Sequence, residues 1–343
     1  MILFSSDYCE GAHPRIMDAL ARTNFEQTEG YEEDPHCDNA RVLIKRAVGC
    51  PDCDIYFLSG GTQTNMAFIA HALKPWQAVI AAETGHICTH ETGAIEASGH
   101  KIIAVPSEDG KLTPQLIQAA VDAHTDHHMV APKMVYLSDS TEIGTIYAKA
   151  ELSAIRQACD RNSLYLYMDG ARLASALTAS GNDLALTDFP KLCDAFYIGG
   201  TKCGALFGEA LVLVNPALAE DFNFTLKQRG GLFAKGRILG IQFEELFKDN
   251  LYLELGAHAN RLAARLKSAF EDKGFSFLVD SSSNQIFPIL PNELIAGLRR
   301  KTSFRDQETI DEGHTAVRFV TSWAMTDAMV DSFIEDLDRL CHE

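Results

Sequence analysis

The sequence lacks any apolar run of about 20 residues, the length that an α-helix needs to cross a bilayer. Hydrophobic side chains make up 46% of its 343 residues and charged side chains 22%, a balance typical of globular proteins. The first residues, MILFSSDYCEG, contain no basic region and no long apolar stretch, so we expect no secretory signal. The sequence therefore predicts a cytoplasmic protein without a membrane partner.

Positive charge is also scarce. The chain has 30 Lys and Arg against 47 Asp and Glu, a formal net charge of −17. Nucleic-acid binding needs a basic excess that displaces counterions from the phosphate backbone, so we do not expect nucleic acid as a partner. The nine cysteines include one close pair, Cys50 and Cys53, but no second pair or His/Cys cluster follows at a zinc-like spacing. We therefore expect no metal site.

The length predicts about two domains. Short apolar runs bounded by Gly, Pro or acidic residues predict seven strands, and most of these are separated by helix-like segments. Uniformly apolar strands that alternate with amphipathic helices indicate a mainly parallel sheet covered on both faces. The predicted strands are residues 54–58, 78–82, 101–105, 133–138, 164–169, 195–198 and 210–214.

The pattern changes in the last third of the chain. Helical periodicity extends over residues 232–273, and a terminal helix is predicted over residues 327–340. Between them, three segments have the pattern of strands in a smaller α/β unit. We therefore predict an amino-terminal arm and large domain in residues 1–250 and a small domain in residues 251–343. The three predicted strands of the small unit are residues 275–279, 285–290 and 316–321.

A lysine and an aspartate follow two successive predicted strands. Asp169 ends the run SLYLYMD, and Lys202 follows the run DAFYIGG. Ligands of such sheets bind beyond the carboxyl ends of the strands, where both side chains would lie. A pyridoxal phosphate enzyme needs this pair, because the amine forms a Schiff base with the cofactor and the carboxylate pairs with the protonated pyridine nitrogen. A solvated lysine and an ordinary helix-start carboxylate are the alternatives.

Two further motifs follow predicted strands. The turn SGGTQTN after residues 54–58 opens a helix, and its glycines, its free N–H groups and Thr62 could bind a phosphate. Such turns often have only a structural role, because they let the backbone turn tightly. The phosphate-binding interpretation is favoured here because Asp169 and Lys202 also follow strands of the same predicted sheet, so all three would meet. His86 follows residues 78–82 and could stack on a pyridine ring or, alternatively, satisfy a loop.

These motifs carry a resemblance to a known family. GGTQTN, HICTHETG, YMDGARL and GGTKCG, with the early SSD and EGYEEDP, resemble the low-specificity L-threonine aldolases of the β-eliminating lyase/threonine aldolase group. The similarity runs from Ser6 and Asp7 to residues 317–321. It implies a fold type I pyridoxal phosphate enzyme that cleaves L-threonine or L-allo-threonine to glycine and an aldehyde. It also implies a homodimer or homotetramer with sites at subunit interfaces.

The resemblance assigns roles to individual residues. Lys202 resembles the Schiff-base lysine, Asp169 the partner of the pyridine nitrogen, and His86 the histidine that stacks on the ring. The groups similar to the family's phosphate ligands are Gly61, Thr62 and Thr201, and those similar to its substrate-carboxylate ligands are Ser6, Arg172 and Arg318.

The chain departs from the family pattern in two places. Where many members have Leu-Glu-Asn-Thr-His-Asn, residues 137–145 read LSDSTEIGT, so Glu142 or a water beside His86 must serve as a second acid or base. The family's GGGMRQAG is matched only loosely by KQRGGLFAK. Arg229 or Lys235 of that segment would reach the cofactor phosphate. In one alternative, the residue belongs to a neighbouring subunit.

Two other functions stay open at this point. The same cofactor could support phenylserine cleavage or β-elimination, because side-chain specificity would depend on pocket residues such as Tyr31, His86, His90 and Glu142. A regulatory protein that binds the cofactor without catalysis is the other alternative. It is disfavoured because the chain combines the lysine, carboxylate and histidine with two arginines for a substrate carboxylate.

Overall fold

The computed structural model describes residues 1–342. Its strands form a large sheet, a small sheet and a two-stranded pair. The strands are β1 Ile2–Leu3, β2 Asp54–Leu58, β3 Gln77–Ala82, β4 Lys101–Val105, β5 Ala131–Ser138, β6 Tyr165–Asp169, β7 Ala195–Gly199, β8 Glu209–Leu213, β9 Gln285–Ile286, β10 Ile289–Pro291, β11 Thr302–Ser303, β12 Arg305–Thr309 and β13 His314–Val320.

Helices cover both faces of the large sheet and pack against the small one. They are α1 Pro14–Arg22, α2 Pro35–Val48, α3 Gly61–Ala72, α4 His86–Thr89, α5 Ala94–Ala97, α6 Pro114–Asp122, α7 Lys149–Arg161, α8 Leu173–Thr178, α9 Phe189–Leu192, α10 Phe222–Gln228, α11 Arg237–Phe247, α12 Leu251–Asp272, α13 Asn292–Leu298 and α14 Asp327–His342. Of these, α12, α13 and α14 share a core with the small sheet. Within residues 1–342, none of these helices combines the length and apolarity that a membrane crossing requires.

The large sheet has seven strands in the order β2-β8-β7-β6-β5-β3-β4. Only β8 runs antiparallel to its neighbours, so the sheet is mainly parallel, as predicted. Successive residues of β6 enter different cores: Leu166 and Met168 pack on one face of the sheet and Tyr167 on the other. Because both faces are covered, the strands are apolar throughout, and this is why all seven were predicted to within two residues.

Local capping explains where several helices begin and end. The Thr113 hydroxyl accepts a hydrogen bond from the Leu116 amide at the start of α6, where Pro114 occupies the first turn. Asp34 caps α2 in the same way, and Gly49, whose φ of +67° suits glycine, directly follows the last residue of α2.

The helical periodicity over residues 232–273 indicated one long helix, but the structure contains two helices there, α11 and α12. The break lies between these two helices. Asp249 and Asn250 there have positive φ angles of 53° and 63°, which interrupt the helical path.

The predicted strand over residues 275–279 was also wrong, because Phe277 makes only an isolated bridge to Pro288. Proline has no N–H that could extend the hydrogen-bond ladder of a sheet. Pro288 therefore also separates β9 from β10, which had been predicted as one strand.

The small sheet is formed by β10, β13 and β12, and β9 pairs with β13 beyond it. Its core includes Phe270, Phe319 and Phe333. Phe4 also belongs to this core, and β1 pairs with β11, so the amino-terminal arm packs on the small unit. The domain boundary at residue 250 stays a prediction.

The carboxyl ends of the parallel strands face the small sheet, and the site described next lies between them.

Candidate active site

The predicted site residues converge in one cavity at the carboxyl edge of the large sheet. The cavity has a volume of about 470 Å³. The predicted residues that line it are Gly61, Thr62, His86, His90, Glu142, Asp169, Arg172, Thr201, Lys202 and Arg318.

Asp169 is buried at the end of β6 and accepts hydrogen bonds on both carboxylate oxygens. Its Oδ1 accepts from the Ala171 amide at 3.0 Å and from the Tyr197 hydroxyl. Its Oδ2 accepts from the Tyr136 hydroxyl at 2.6 Å and from Asn65 Nδ2 at 3.0 Å. Four donors stabilise a negative charge on this carboxylate. The site therefore offers a fixed anion to a cationic ring nitrogen.

Lys202 is partly buried, and it lines the same cavity as Asp169. Burial, and next the positive charge of Arg172, lower the pKa of its amine. A lower pKa increases the share of neutral amine, which is the form that attacks a carbonyl carbon. This burial and the lowered pKa suit a nucleophile and distinguish Lys202 from a solvated surface lysine.

The start of α3 forms one wall of the cavity. No side chain caps this helix, so the N–H groups of its first turn are left for another acceptor. A Cβ on Gly61 would lie 2.9 Å from the Tyr197 hydroxyl, which explains why a glycine occupies the position. Thr62 is exposed beside it. Uncapped N–H groups at the positive end of a helix dipole suit a phosphate.

Glu209 is a cavity residue that was not predicted from the sequence. It begins β8, and its oxygens accept hydrogen bonds from the Thr201 hydroxyl at 2.8 Å and the Gly200 amide at 3.0 Å. Burial raises the pKa of its carboxyl to about 8. Its sequence signal is weak but real, since an acidic residue opens the otherwise apolar strand EALVL.

Replacing Glu209 by glutamine is expected to change how cofactor affinity depends on pH. Glu209 is mostly neutral below its pKa of about 8 and becomes an anion above it, beside the predicted phosphate ligand Thr201. Affinity for pyridoxal phosphate should fall with rising pH in the wild type and fall less in Glu209→Gln. Fluorescence titrations between about pH 7 and pH 9 test this. Equal slopes in the two proteins would contradict it.

His86 and Glu142 meet on one side of the cavity. The His86 amide, at the first residue of α4, donates to Glu142 Oε1 at 2.8 Å, and the Ser138 hydroxyl donates to the same oxygen at 2.7 Å. Burial raises the pKa of the Glu142 carboxyl. A carboxyl group with a raised pKa is a stronger base once ionised, so Glu142 is suited to exchange a proton with a ligand.

The arginines differ in how much of each guanidinium is available. Arg172 Nε and Nη2 lie 2.7 and 2.9 Å from the two oxygens of Asp7, so this fork is already paired. Arg318 Nε is buried without a hydrogen-bond partner among residues 1–342. Burial, followed by the charges of Arg172 and Arg305, lowers the pKa of Arg318 to about 10. Arg318 is therefore the better donor to a carboxylate in the cavity.

Arg305 also lines the cavity and was not predicted. It lies directly opposite Arg318 in the antiparallel pair of β12 and β13. Like charges in this position repel, and an anion between them would relieve the repulsion. Arg305 was missed because β12 reads RDQET, is exposed throughout and has no hydrophobic alternation.

Several predicted residues do not line this cavity. Ser6 is buried beside it, and its Oγ accepts from the Tyr8 amide at 3.3 Å. The Lys227 ammonium lies over the Tyr31 ring, 4.2 Å from the ring centre. Arg229 and Lys235 also lie outside the lining that residues 1–342 form around the cavity. The roles of these residues stay predictions.

The donor set fits pyridoxal phosphate on this chain's own geometry. Lys202 offers the amine, Asp169 a buried anion, and the uncapped start of α3 offers phosphate donors. The described residues contain no group of three or more His, Cys, Asp and Glu side chains that could hold a metal ion.

Known proteins match this chain over most of its length. The model of the β-eliminating lyase family matches residues 4–291. A low-specificity L-threonine aldolase from Pseudomonas aeruginosa is 34% identical over 323 residues, which cover 93% of this chain and 92% of the relative. The structure of Leishmania major threonine aldolase is 49% identical with a TM-score of 0.98, covering 99% of this chain and 100% of that one.

A more distant structure supports the fold alone. Thermus thermophilus aspartate aminotransferase is 14% identical with a TM-score of 0.73, covering 99% of this chain and 91% of that one. The predicted fold type I architecture is thus confirmed, and so is the predicted group. This chain belongs to the β-eliminating lyase family.

Proposed function

We propose that this protein is a pyridoxal phosphate-dependent aldehyde-lyase that cleaves L-threonine and L-allo-threonine to glycine and an aldehyde. The observation that carries the proposal is the convergence of Lys202, Asp169 and Arg318 in one cavity. These three side chains suit the cofactor aldehyde, the cofactor ring nitrogen and the substrate carboxylate, respectively. The threonine aldolase relatives match nearly the whole chain, which supports the same activity.

When bound, the cofactor supplies an electron sink for the negative charge left on Cα by carbon–carbon cleavage. Asp169 would pair with the ring nitrogen, and its four hydrogen-bond donors keep that carboxylate in place. The first turn of α3 and Thr201 would hold the phosphate. These residues would therefore fix the cofactor through its ring nitrogen and through its phosphate.

Substrate orientation depends on the arginines. Arg318 and Arg305 hold the carboxylate, and the nitrogen of Arg172 that Asp7 does not use adds a third donor. A fixed carboxylate would decide which bond of Cα breaks. Aldol cleavage requires that this is the bond between Cα and Cβ.

Glu142 is the candidate that accepts the proton of the β-hydroxyl. Glu142→Gln is expected to lower kcat by roughly 10²–10⁴-fold, the usual effect of losing a general base. The absorbance of the bound cofactor should change little. His86→Ala should lower the rate and change that absorbance as well, because the ring loses its stacking partner. Full threonine cleavage by Glu142→Gln at every pH would exclude Glu142 as the base.

The activity itself is tested with the purified holoenzyme. Glycine release from L-threonine and L-allo-threonine is measured beside the absorbance band of the protein-bound cofactor. Faster cleavage of phenylserine would favour the phenylserine aldolase alternative, and pyruvate formed from serine would favour β-elimination. A cofactor band without any turnover would instead support the regulatory alternative and contradict the proposal.

The proposed assembly is a homodimer or homotetramer with active sites at subunit interfaces. Tyr31 and Lys235 are exposed away from their own cavity, and Phe25 and Phe224 expose 93% and 75% of their surface. Large exposed aromatic side chains favour a contact surface. The proposed location is the cytoplasm, because the nine cysteines carry no disulfide within residues 1–342, as expected in a reducing compartment.

Mixing two inactive variants tests whether Lys235 acts in a partner's site. Lys202→Ala and Lys235→Ala each lack one of the two lysines. If Lys235 acts in the partner's site, a mixed dimer contains one site in which both lysines are intact. After joint refolding, threonine cleavage should exceed the sum of the separate variants. No gain, despite mixed dimers detected by mass spectrometry, would place Lys235 outside the shared site.

A further inference from the structure

Glu91 is a buried carboxylate to which the mechanism above assigns no role. It follows α4, and its side chain has no solvent exposure. Its Oε1 lies 2.8 Å from His86 Nδ1 and accepts a hydrogen bond from Asn65 Nδ2, also at 2.8 Å. Its Oε2 is buried without a hydrogen-bond partner among residues 1–342. A buried carboxylate with one unsatisfied oxygen lowers stability, so packing alone does not explain it.

Asn65 connects Glu91 to the cofactor site. The same Nδ2 group also donates to Asp169 Oδ2 at 3.0 Å. The Tyr167 hydroxyl donates to Asn65 Oδ1 at 2.9 Å, which fixes the direction of the amide. One amide group therefore binds both carboxylates, the one that faces the ring nitrogen and the one that faces His86.

The contact with Glu91 determines how His86 presents its ring. An ionised carboxylate only accepts hydrogen bonds, so a hydrogen bond at 2.8 Å places a proton on Nδ1. The other nitrogen, Nε2, is then left as the acceptor in the neutral ring. The ring orientation is also fixed, because Glu91 holds Nδ1 while the His86 backbone is held as the first residue of α4.

We infer that Glu91 is a positioning residue that sets the orientation and tautomer of His86 toward the cofactor and substrate. Glu91 acts only through His86 and touches neither ligand. With Nδ1 protonated, Nε2 of His86 can accept a hydrogen bond from the substrate or from a water beside it. This role rests on the proposed function, but the tautomer of His86 is measurable without any turnover.

The first experiment uses the cofactor-free wild type. Nitrogen NMR of ¹⁵N-labelled histidines distinguishes the two tautomers, and His86→Phe assigns the His86 signals. The neutral His86 ring is expected to carry its proton on Nδ1. A proton on Nε2 would overturn the inference, whether or not the protein cleaves threonine, and this result does not depend on the folding of any Glu91 variant.

The second experiment is a double-mutant comparison on the holoenzyme. Glu91→Gln keeps the size of the side chain and removes its charge, and we expect kcat for threonine to fall by about 10–100-fold, with a smaller change in KM. In the His86→Phe background, which keeps a ring but has no nitrogens, Glu91→Gln should have no further effect on kcat. Equal losses in both backgrounds would show that Glu91 acts independently of His86.

Glu96→Gln is the matched control. Glu96 is an exposed carboxylate on α5, five positions along the chain, and it lies outside the cavity lining. Its replacement should leave kcat and the absorbance of the cofactor unchanged. If the wild type releases no glycine from any β-hydroxy amino acid, the proposed function fails, and the NMR result still decides the contact between Glu91 and His86.

Discussion

Lys202→Ala is expected to abolish both covalent attachment of the cofactor and turnover. The loss of kcat should reach about 10⁴-fold or more, because the variant lacks the attacking amine, whose pKa burial lowers in the wild type. Borohydride reduction of the wild-type holoenzyme, followed by peptide mapping, should place the label on Lys202. A label on Lys227 or Lys235 instead would overturn the assignment.

Lys227→Ala provides the control for this measurement. Lys227 is exposed and packs over the Tyr31 ring, away from the cavity. Its replacement removes one amine without changing the cavity, so reduction should still label Lys202 to the wild-type extent. This comparison separates loss of the attachment site from a general effect of removing a lysine.

Asp169→Asn is expected to give the second largest effect. The variant keeps the shape of the side chain and removes the charge that pairs with the ring nitrogen, so kcat should fall by roughly 10²–10³-fold. The cofactor should still bind, because Lys202 and the start of α3 are unchanged. Steady-state kinetics and a cofactor titration on the same preparation measure the two effects separately.

The same substitution at Asp160 serves as the control. Asp160 is an exposed carboxylate on α7, paired with Arg156, and lies outside the cavity lining. Asp160→Asn should retain wild-type kcat. Near-normal kcat in Asp169→Asn would show that Asp169 and its four hydrogen-bond donors have a structural role only.

Much of the site could be predicted because its parts follow apolar strands. Asp169 ends β6, Lys202 follows β7, His86 follows β3 and Gly61 follows β2. The strands are covered on both faces, so burial appears directly in the sequence as uninterrupted apolar runs. In a parallel sheet the carboxyl ends share one edge, and residues far apart in the chain were therefore expected to meet there.

Other parts of the site were decided only by long-range contacts. Asp7 pairs with Arg172 across 165 positions, and Arg305 enters the cavity from a strand that has no hydrophobic pattern. Glu209 reaches the same edge because β8 is antiparallel and begins where its neighbours end.

By itself, the sequence determined the elements of the large sheet, the family and the residues at its strand ends. The tertiary structure decided which charges are paired, namely Arg172 with Asp7, and which keep an unsatisfied donor among residues 1–342, as Arg318 does at Nε. The physical reason is that local hydrophobic periodicity records the burial of each segment, whereas the partner of a buried charge depends on how distant segments pack.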